Sequence, residues 1–267
     1  MFLMMILDPV NAVTSIQFYK KVAQQSWART VGYLCYVAFA FALIATVAFK
    51  LRVGPEIDKT FFWLEKSMPV LTLSNGKMTS NLTAPLTLRH PDDPDVALTI
   101  DTMRVDPVTP QMLESQKVMA YVTSNALYVM RRPGELRVFD FASQKPMSKP
   151  LVINQDFYEA SRHFLDKILY PFVLVLVFTL FVVWKILASL FYSLVGMMMN
   201  SLLNAQLPYN ALFNVAAYAQ TLMVIVRAIF LFMPGPLPGA APISLAVTSV
   251  YIALAIKNIQ GPQEELA

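Results

Sequence analysis

The stretch ILYPFVLVLVFTLFVVWKILASLFYSLVGMMMNSLL, residues 168–203, decides what class of protein this chain belongs to. It contains one charged residue, Lys185, in an otherwise apolar and uncharged run. As one helix it would be about 54 Å long, whereas the hydrocarbon core of a bilayer is about 30 Å thick. The stretch therefore predicts a membrane-spanning helix that either projects from one face of the bilayer or bends at its surface, with Gly196 as the candidate bend.

The charged residues are concentrated in the middle of the chain. Residues 50–167 carry 15 Lys/Arg and 14 Asp/Glu, whereas residues 168–256 carry only Lys185 and Arg227 and no acid. Because charges are expensive in lipid, this contrast predicts a water-soluble domain followed by membrane-embedded segments. The net charge of +4 is not clustered on one segment, so a nucleic-acid partner is not expected. The single cysteine excludes an intrachain disulfide.

The first apolar run, Val31–Phe49, is long enough to cross a bilayer. It ends in bulky residues where a signal-peptide cleavage site would need small ones, so it reads as an uncleaved signal anchor. Three basic residues precede it and predict a cytoplasmic N-terminus. Before the run, Asp8 and Pro9 form a helix-start signal, and the following residues predict an amphipathic helix on the inner leaflet.

The predicted fold is an α-helical integral membrane protein with four transmembrane helices and a small β-rich (α+β) extracytoplasmic domain between helices 1 and 2. Both termini are expected in the cytoplasm. The predicted segments are a cytoplasmic interfacial amphipathic segment (1–30), helix 1 (31–49), the extracytoplasmic β-rich domain (50–167), a long helix 2 with an interfacial extension (168–203), helix 3 (209–233), helix 4 (240–257) and a cytoplasmic tail (258–267).

Turn signals divide the middle domain into short alternating runs. Asn75-Gly76 is the preferred pair for a tight hairpin, and Ser124-Asn125 and Pro133-Gly134 separate two further pairs of runs. The spacing predicts six to eight short, mostly antiparallel strands in a small sandwich or curled sheet.

Polar residues within the predicted membrane segments are the candidate site residues. Lys185 is expected to snorkel to the cytoplasmic boundary. Arg227 is expected at a different depth, snorkelling outward or pairing with Asp166 or Glu159. Asn210, Asn214 and Tyr218 are spaced four apart and should share one helix face. Hydrogen bonding between helices, a solute-lining role and contact with a partner remain alternatives for the full set: Lys185, Asn200, Asn204, Asn210, Asn214, Tyr218, Gln220 and Arg227.

No catalytic or cofactor-binding motif is present in the sequence. The acidic run around Asp92 lacks the glycine and distal glutamate of a calcium loop. Two histidines more than 70 residues apart give no metal-ligand spacing. Asp101, at the end of a predicted strand, is the best single acid and is expected to be a turn or cap residue. The sequence therefore predicts a protein with no enzyme activity, no cofactor and no metal.

The order of these parts resembles a bacterial membrane family, domain of unknown function 1189, some of whose members lie in maltodextrin-utilisation loci. The resemblance is carried by DPVNAVTSIQFYKKVAQQSWARTVGYLCY (8–36), PVLTLSNGKMTSNLTAPLTLRH (69–90), LTIDT (98–102) and LPYNALFNVAAYAQT (207–221). It implies a multi-pass protein of the bacterial inner or cytoplasmic membrane. It implies no catalytic residues.

The preferred hypothesis is a non-enzymatic accessory or regulatory subunit that binds a partner membrane protein or an envelope component. The alternative is a small-solute transporter or channel that works as an oligomer, with Lys185, Arg227 and the asparagine face along its path. A third hypothesis is an enzyme of the outer membrane surface, centred on Asp101. The expected partners are the lipid bilayer, another membrane protein and a further copy of the chain.

Overall fold

The structure is a computed structural model that describes residues 6–93, 95–143, 149–235 and 238–261. The chain divides into two compact units, residues 52–168 and the combination of residues 1–51 with 169–267. We call them the β-rich unit and the helical unit. Part of the predicted tail 258–267 and part of the proline-rich loop before residue 240 lie outside the described residues.

Two very long helices dominate the secondary structure, and shorter helices complete it. Proline occurs inside both long helices, at Pro55 and Pro171. The helices are α1 Asp8–Thr14, α2 Phe18–Ala23, α3 Trp27–Ser67, α4 Pro110–Gln116, α5 Gln155–Leu202, α6 Tyr209–Ala219, α7 Thr221–Phe230 and α8 Ala240–Gln260.

Four helical stretches are long and apolar enough to cross a membrane: α3, α5, α6 with α7 taken as one stretch, and α8. The fold is thus that of an α+β protein with four long apolar helical stretches. Helix α5 continues through Gly196 as regular α-helix, so the structure shows no break at the candidate bend.

The third apolar stretch differs from the single helix predicted over 209–233. It consists of α6 and α7, which meet at Gln220, and α7 ends at Phe230. The Gln220 backbone N–H bonds to the carbonyl of Tyr218 instead of the carbonyl four residues back. The side chain of Thr221 also donates to that carbonyl, at 2.6 Å, so local bonds compete with the regular helical ladder here.

The N-terminal segment 1–30 does not form the single amphipathic helix that was predicted. Its described part contains two short helices, because α1 ends at Thr14 and α2 begins at Phe18. Helix α2 packs against α6 and α8, and Tyr19 and Val22 are fully buried there. Tertiary packing, which periodicity cannot reveal, determines where these apolar side chains lie.

The β-rich unit contains two sheets whose pairing is almost entirely antiparallel, as predicted. In the described part of this unit the strand orders are β2-β1-β8 and β3-β4-β5-β6-β7, and only the β4–β5 pair is parallel. The strands are β1 Leu71–Ser74, β2 Lys77–Ser80, β3 Leu86–Arg89, β4 Ala97–Ile100, β5 Ala120–Val122, β6 Ala126–Arg132, β7 Glu135–Asp140 and β8 Leu151–Ile153.

The predicted hairpin turns are confirmed. Ser74 pairs with Lys77 across Asn75 and Gly76, whose φ angles are 50° and 72°. Both central residues need a positive φ in this turn, and Asn and Gly tolerate it best. Arg132 likewise pairs with Glu135 across Pro133-Gly134.

One buried cluster of the β-rich unit lies where side chains of the two sheets meet. Leu71, Leu73 and Met78 from the three-stranded sheet join Ile100 and Val122 from the five-stranded sheet in one buried cluster. The alternating pattern of β1, with Leu71 and Leu73 buried and the residues after each half-buried, follows from the two-residue period of a strand.

Candidate functional site

A cavity of about 490 Å³ lies in the helical unit among α5, α7 and the first turns of α8. Its polar lining comes from Lys185 and Tyr192 of α5, Ser244 of α8, Arg227 of α7 and Gln220, the residue joining α6 and α7. We call this space the Lys185 cavity. It gathers both cations of the chain's last apolar third in one place.

Lys185 is buried, with 5% of its surface exposed. Its ammonium Nζ donates to Gln220 Oε1 at 3.3 Å and lies 5.4 Å from the centre of the Phe181 ring. The prediction that Lys185 extends to water at the cytoplasmic boundary is therefore wrong, because its ammonium is buried against Gln220. That prediction considered only neighbours on the same helix, whereas the polar partner is supplied by a residue 35 positions later.

Gln220 is held in place by further hydrogen bonds. Its Nε2 donates to Ser189 Oγ at 2.9 Å and to the carbonyl of Ala216 at 3.1 Å. Ser189 Oγ in turn donates to the carbonyl of Lys185 at 2.8 Å. These bonds fix the amide so that its oxygen faces the ammonium. Ser189, four residues after Lys185, was not selected from the sequence, although that spacing places it on the same helix face.

Arg227 is half-buried and lines the same cavity as Lys185. The sequence placed the two cations at different depths of the membrane, and the structure brings both to the lining of one cavity. Within the described residues Arg227 forms no ion pair. Glu159, one of its two expected acidic partners, instead has its Oε1 atom 3.8 Å from Nε2 of His163.

The predicted asparagine face is divided between buried and exposed positions. Asn214 is fully buried, accepts from Thr30 Oγ1 at 2.6 Å and donates to the carbonyl of Gln25 at 2.8 Å. Tyr218, also fully buried, donates to Gln25 Oε1 at 3.0 Å. Asn210, one turn earlier, is exposed. We call Gln25, Thr30, Asn214 and Tyr218 the Asn214 cluster.

An aromatic stack extends the Asn214 cluster into α3. The rings of Tyr33 and Tyr218 are parallel, with centroids 3.7 Å apart, and the Tyr33 hydroxyl lies 2.6 Å from Thr221 Oγ1. Since these polar groups bond to one another, the structure places them in contacts between α3 and the α6–α7 stretch.

Of the two asparagines before the third apolar stretch, Asn200 lies in the last turn of α5 and Asn204 lies just after it. Asn200 Nδ2 donates to the carbonyl of Leu207, and Asn200 Oδ1 accepts from the Leu207 amide, at 3.2 and 3.1 Å. Asn204 is exposed and has a positive φ of 51°. Asparagine tolerates this left-handed conformation better than most residues, so Asn204 suits the turn that follows α5.

A buried ion pair near the N-terminus was missed by sequence reasoning. Asp8 Oδ2 lies 3.6 Å from Arg29 Nη2, and Asp8 is 2% exposed. The sequence analysis took Asp8 only as a helix-start signal. No sequence signal links the two, because Asp8 begins α1 and Arg29 lies in the first turn of α3, with the whole of α2 between them in the chain.

Asp101 in the β-rich unit holds a turn together, as expected from the sequence. Its Oδ1 accepts from the Arg104 amide and its Oδ2 accepts from the Tyr121 hydroxyl, both at 3.2 Å. Burial raises the pKa of the Tyr121 hydroxyl above its ordinary value, and the neighbouring Asp101 carboxylate adds to the rise.

Strand β7 forms an edge of the five-stranded sheet and pairs only with β6 in the described part of the chain. Val138 and Phe139 are 52% and 38% exposed. The Phe141 amide donates to the carbonyl of Asn125. Phe139 and Arg137 lie two and four residues earlier, so their backbone groups also face β6. By the alternation of an antiparallel ladder, the N–H of Val138 points away from the sheet.

Among residues 6–93, 95–143, 149–235 and 238–261, no group of three or more His, Cys, Asp or Glu could hold a metal. A sequence model of the family described as "Protein of unknown function (DUF1189)" matches residues 10–256. No curated protein and no solved structure matches the chain.

Proposed function

The chain belongs to the DUF1189 family, and we propose that this member is a non-enzymatic accessory subunit of the bacterial cytoplasmic membrane. It is anchored by the four apolar helical stretches, and its β-rich unit binds an extended polypeptide segment of a partner envelope or membrane protein. The observation that carries this proposal is the outer edge of β7, which is unpaired within the part of the chain that the structure describes.

The proposed orientation places both ends of the chain in the cytoplasm and the β-rich unit outside. Three considerations support it. The four apolar stretches have the length and composition of membrane spans. An even number of spans returns the chain to its starting side. Lys20, Lys21 and Arg29 precede the first span, and basic residues are retained on the cytoplasmic side.

An unpaired strand edge recognises polypeptide backbone. Its outward N–H and C=O groups match those of another extended chain, which can add as a further strand. In β7 the exposed Val138 and Phe139 supply apolar contact on the two faces of the sheet. The Arg137 guanidinium lies 4.9 Å from the centre of the Phe139 ring, so a charged group borders this contact area.

The contacts inside the helical unit favour the partner-binding proposal over the alternative in which a solute passes between the helices. The polar face that a path would use is occupied, because Asn214 and Tyr218 bond to Gln25 and Thr30. The oligomeric transporter remains an alternative, and the features that favour it are the two cations of the Lys185 cavity.

Val138→Pro tests the proposal on the full-length protein. Proline removes the outward N–H of Val138 but no bond to β6, and proline is tolerated on edge strands. The matched control is Val138→Thr, which keeps both the N–H and the β-branched shape. We expect copurification of partner proteins from native membranes in mild detergent to be lost with Val138→Pro and retained with Val138→Thr.

A photo-crosslinking residue at position 138 gives a second measurement. We expect a reproducible adduct from this position and none from Val105, which is 70% exposed elsewhere in the same unit. Recovery of the chain alone, or equal adducts from positions 105 and 138, would contradict the proposal.

A further inference from the structure

The Lys185 cavity contains positive charge without an acidic partner. Residues 168–256 have no Asp or Glu, so both cations there lack an acid within their own apolar stretches. Lys185 is 5% exposed and directs one hydrogen bond to a neutral amide, that of Gln220. An ammonium has three donors. Removing such a charge from water costs several kcal/mol unless an opposite charge lies close. The cavity therefore suits an anion.

The donors in the cavity suit a phosphate group. Arg227 carries a planar guanidinium that can donate two parallel bonds to phosphate oxygens, and Lys185 supplies a compact second cation. The Tyr192 hydroxyl and Ser244 Oγ lie 3.3 Å apart in the same lining and add neutral donors. A volume of about 490 Å³ accommodates a phosphate with a small polar substituent.

The rim of the cavity is apolar and exposed. Trp184, Phe191 and Leu245 line the space and are 57%, 54% and 42% exposed. The exposed apolar surface continues along α5 through Leu187 and Leu194, at 55% and 56%. An anion attached to hydrocarbon chains would place those chains on this surface, whereas a fully hydrated anion gains nothing from it.

We propose that the Lys185 cavity binds the phosphate headgroup of an anionic phospholipid. Arg227 and Lys185 contact the phosphate, Gln220 positions the Lys185 ammonium, and the acyl chains leave past Trp184 and Phe191 along α5. This site is separate from the β7 edge, so the two proposals succeed or fail independently.

The test is native mass spectrometry of the full-length protein in a neutral detergent. It is titrated with phosphatidylglycerol, with phosphatidylcholine of the same acyl chains, and with glycerol phosphate as the soluble headgroup. We expect phosphatidylglycerol to bind about tenfold more tightly than phosphatidylcholine, the effect of one charge-assisted contact. Glycerol phosphate should neither bind measurably nor displace the lipid.

Two variants and one control locate the site. Arg227→Gln changes a half-buried side chain and should fold normally, and Lys185→Gln removes the buried charge. Each should reduce phosphatidylglycerol binding toward the level of phosphatidylcholine. Lys257→Gln removes an exposed cation near the end of α8 and should leave binding unchanged.

Three results would overturn the proposal. They are equal binding of the two lipids to the unaltered protein, full phosphatidylglycerol binding by Arg227→Gln, and displacement of the lipid by glycerol phosphate. The last would show a site for soluble anions and would favour the transporter alternative. If Lys185→Gln does not fold, Arg227→Gln still decides the outcome.

Discussion

Asn210 and Asn214 lie one helical turn apart on α6, but their surroundings are opposite. Asn210 is exposed, whereas Asn214 is fully buried and bonds to Thr30 and to the carbonyl of Gln25. We therefore expect the asparagine side chain to contribute to the stability of the helical unit at position 214 and not at position 210. At position 214 it connects α6 to the segment that enters α3.

Asn214→Ala should destabilise the helical unit by about 1–3 kcal/mol, because it leaves a hydroxyl and a carbonyl buried without their partner. Hydrogen bonds between helices in lipid average about 0.6 kcal/mol, so the lower half of this range is expected. The measurement is the thermal unfolding temperature of the purified protein in detergent.

Asn210→Ala is the matched control, since it deletes the same atoms from the same helix at an exposed position. It should unfold within error of the unaltered protein. Equal destabilisation by both substitutions would show that the Asn214 cluster contributes no specific stability.

At the scale of elements, the β1–β2 hairpin depends on one close backbone approach. A Cβ at Gly76 would lie 2.8 Å from Ala142 Cα, and Gly76 has a φ of 72°. Gly134, in the β6–β7 turn, has a similar φ of 79° but open space around it. Substitutions at the two glycines therefore distinguish the cost of backbone strain, present at both, from the cost of a steric clash, present only at Gly76.

Gly76→Ala should destabilise the β-rich unit more than Gly134→Ala. Alanine in the left-handed region costs roughly 1–2 kcal/mol at either turn, and only position 76 adds a clash with backbone. The measurement is protease resistance of the β-rich unit in the full-length protein as the urea concentration rises. Identical midpoints for the two variants would mean that Ala142 moves aside without cost.

At the scale of the whole molecule, the proposed topology places the described ends of the helical unit on one side of the membrane and the β-rich unit on the other. The single cysteine, Cys35, lies in α3 and can be replaced by serine to give a cysteine-free background. Ser115 and Gln24 are exposed positions, in the β-rich unit and in the N-terminal segment respectively.

In that background, a membrane-impermeant maleimide should label Ser115→Cys in intact cells but not Gln24→Cys. After the membrane is permeabilised, both variants should react, which controls for local reactivity. Labelling of Gln24→Cys alone in intact cells would reverse the orientation. It would also contradict the proposal that the β-rich unit meets an envelope partner.

The sequence by itself determined the features that depend on local composition and spacing. Four apolar stretches of spanning length follow from hydropathy along the chain, because an apolar run must be buried or lie in lipid. The Asn75-Gly76 hairpin follows from the positive φ angles that the turn requires.

Tertiary structure alone decided the contacts between distant residues. Lys185 meets Gln220 and shares a cavity with Arg227, and Asp8 meets Arg29, because helix packing brings these side chains together. Periodicity assigns a residue to a face of its own helix, but the partner of that face is fixed by how whole helices pack, and no local pattern records it.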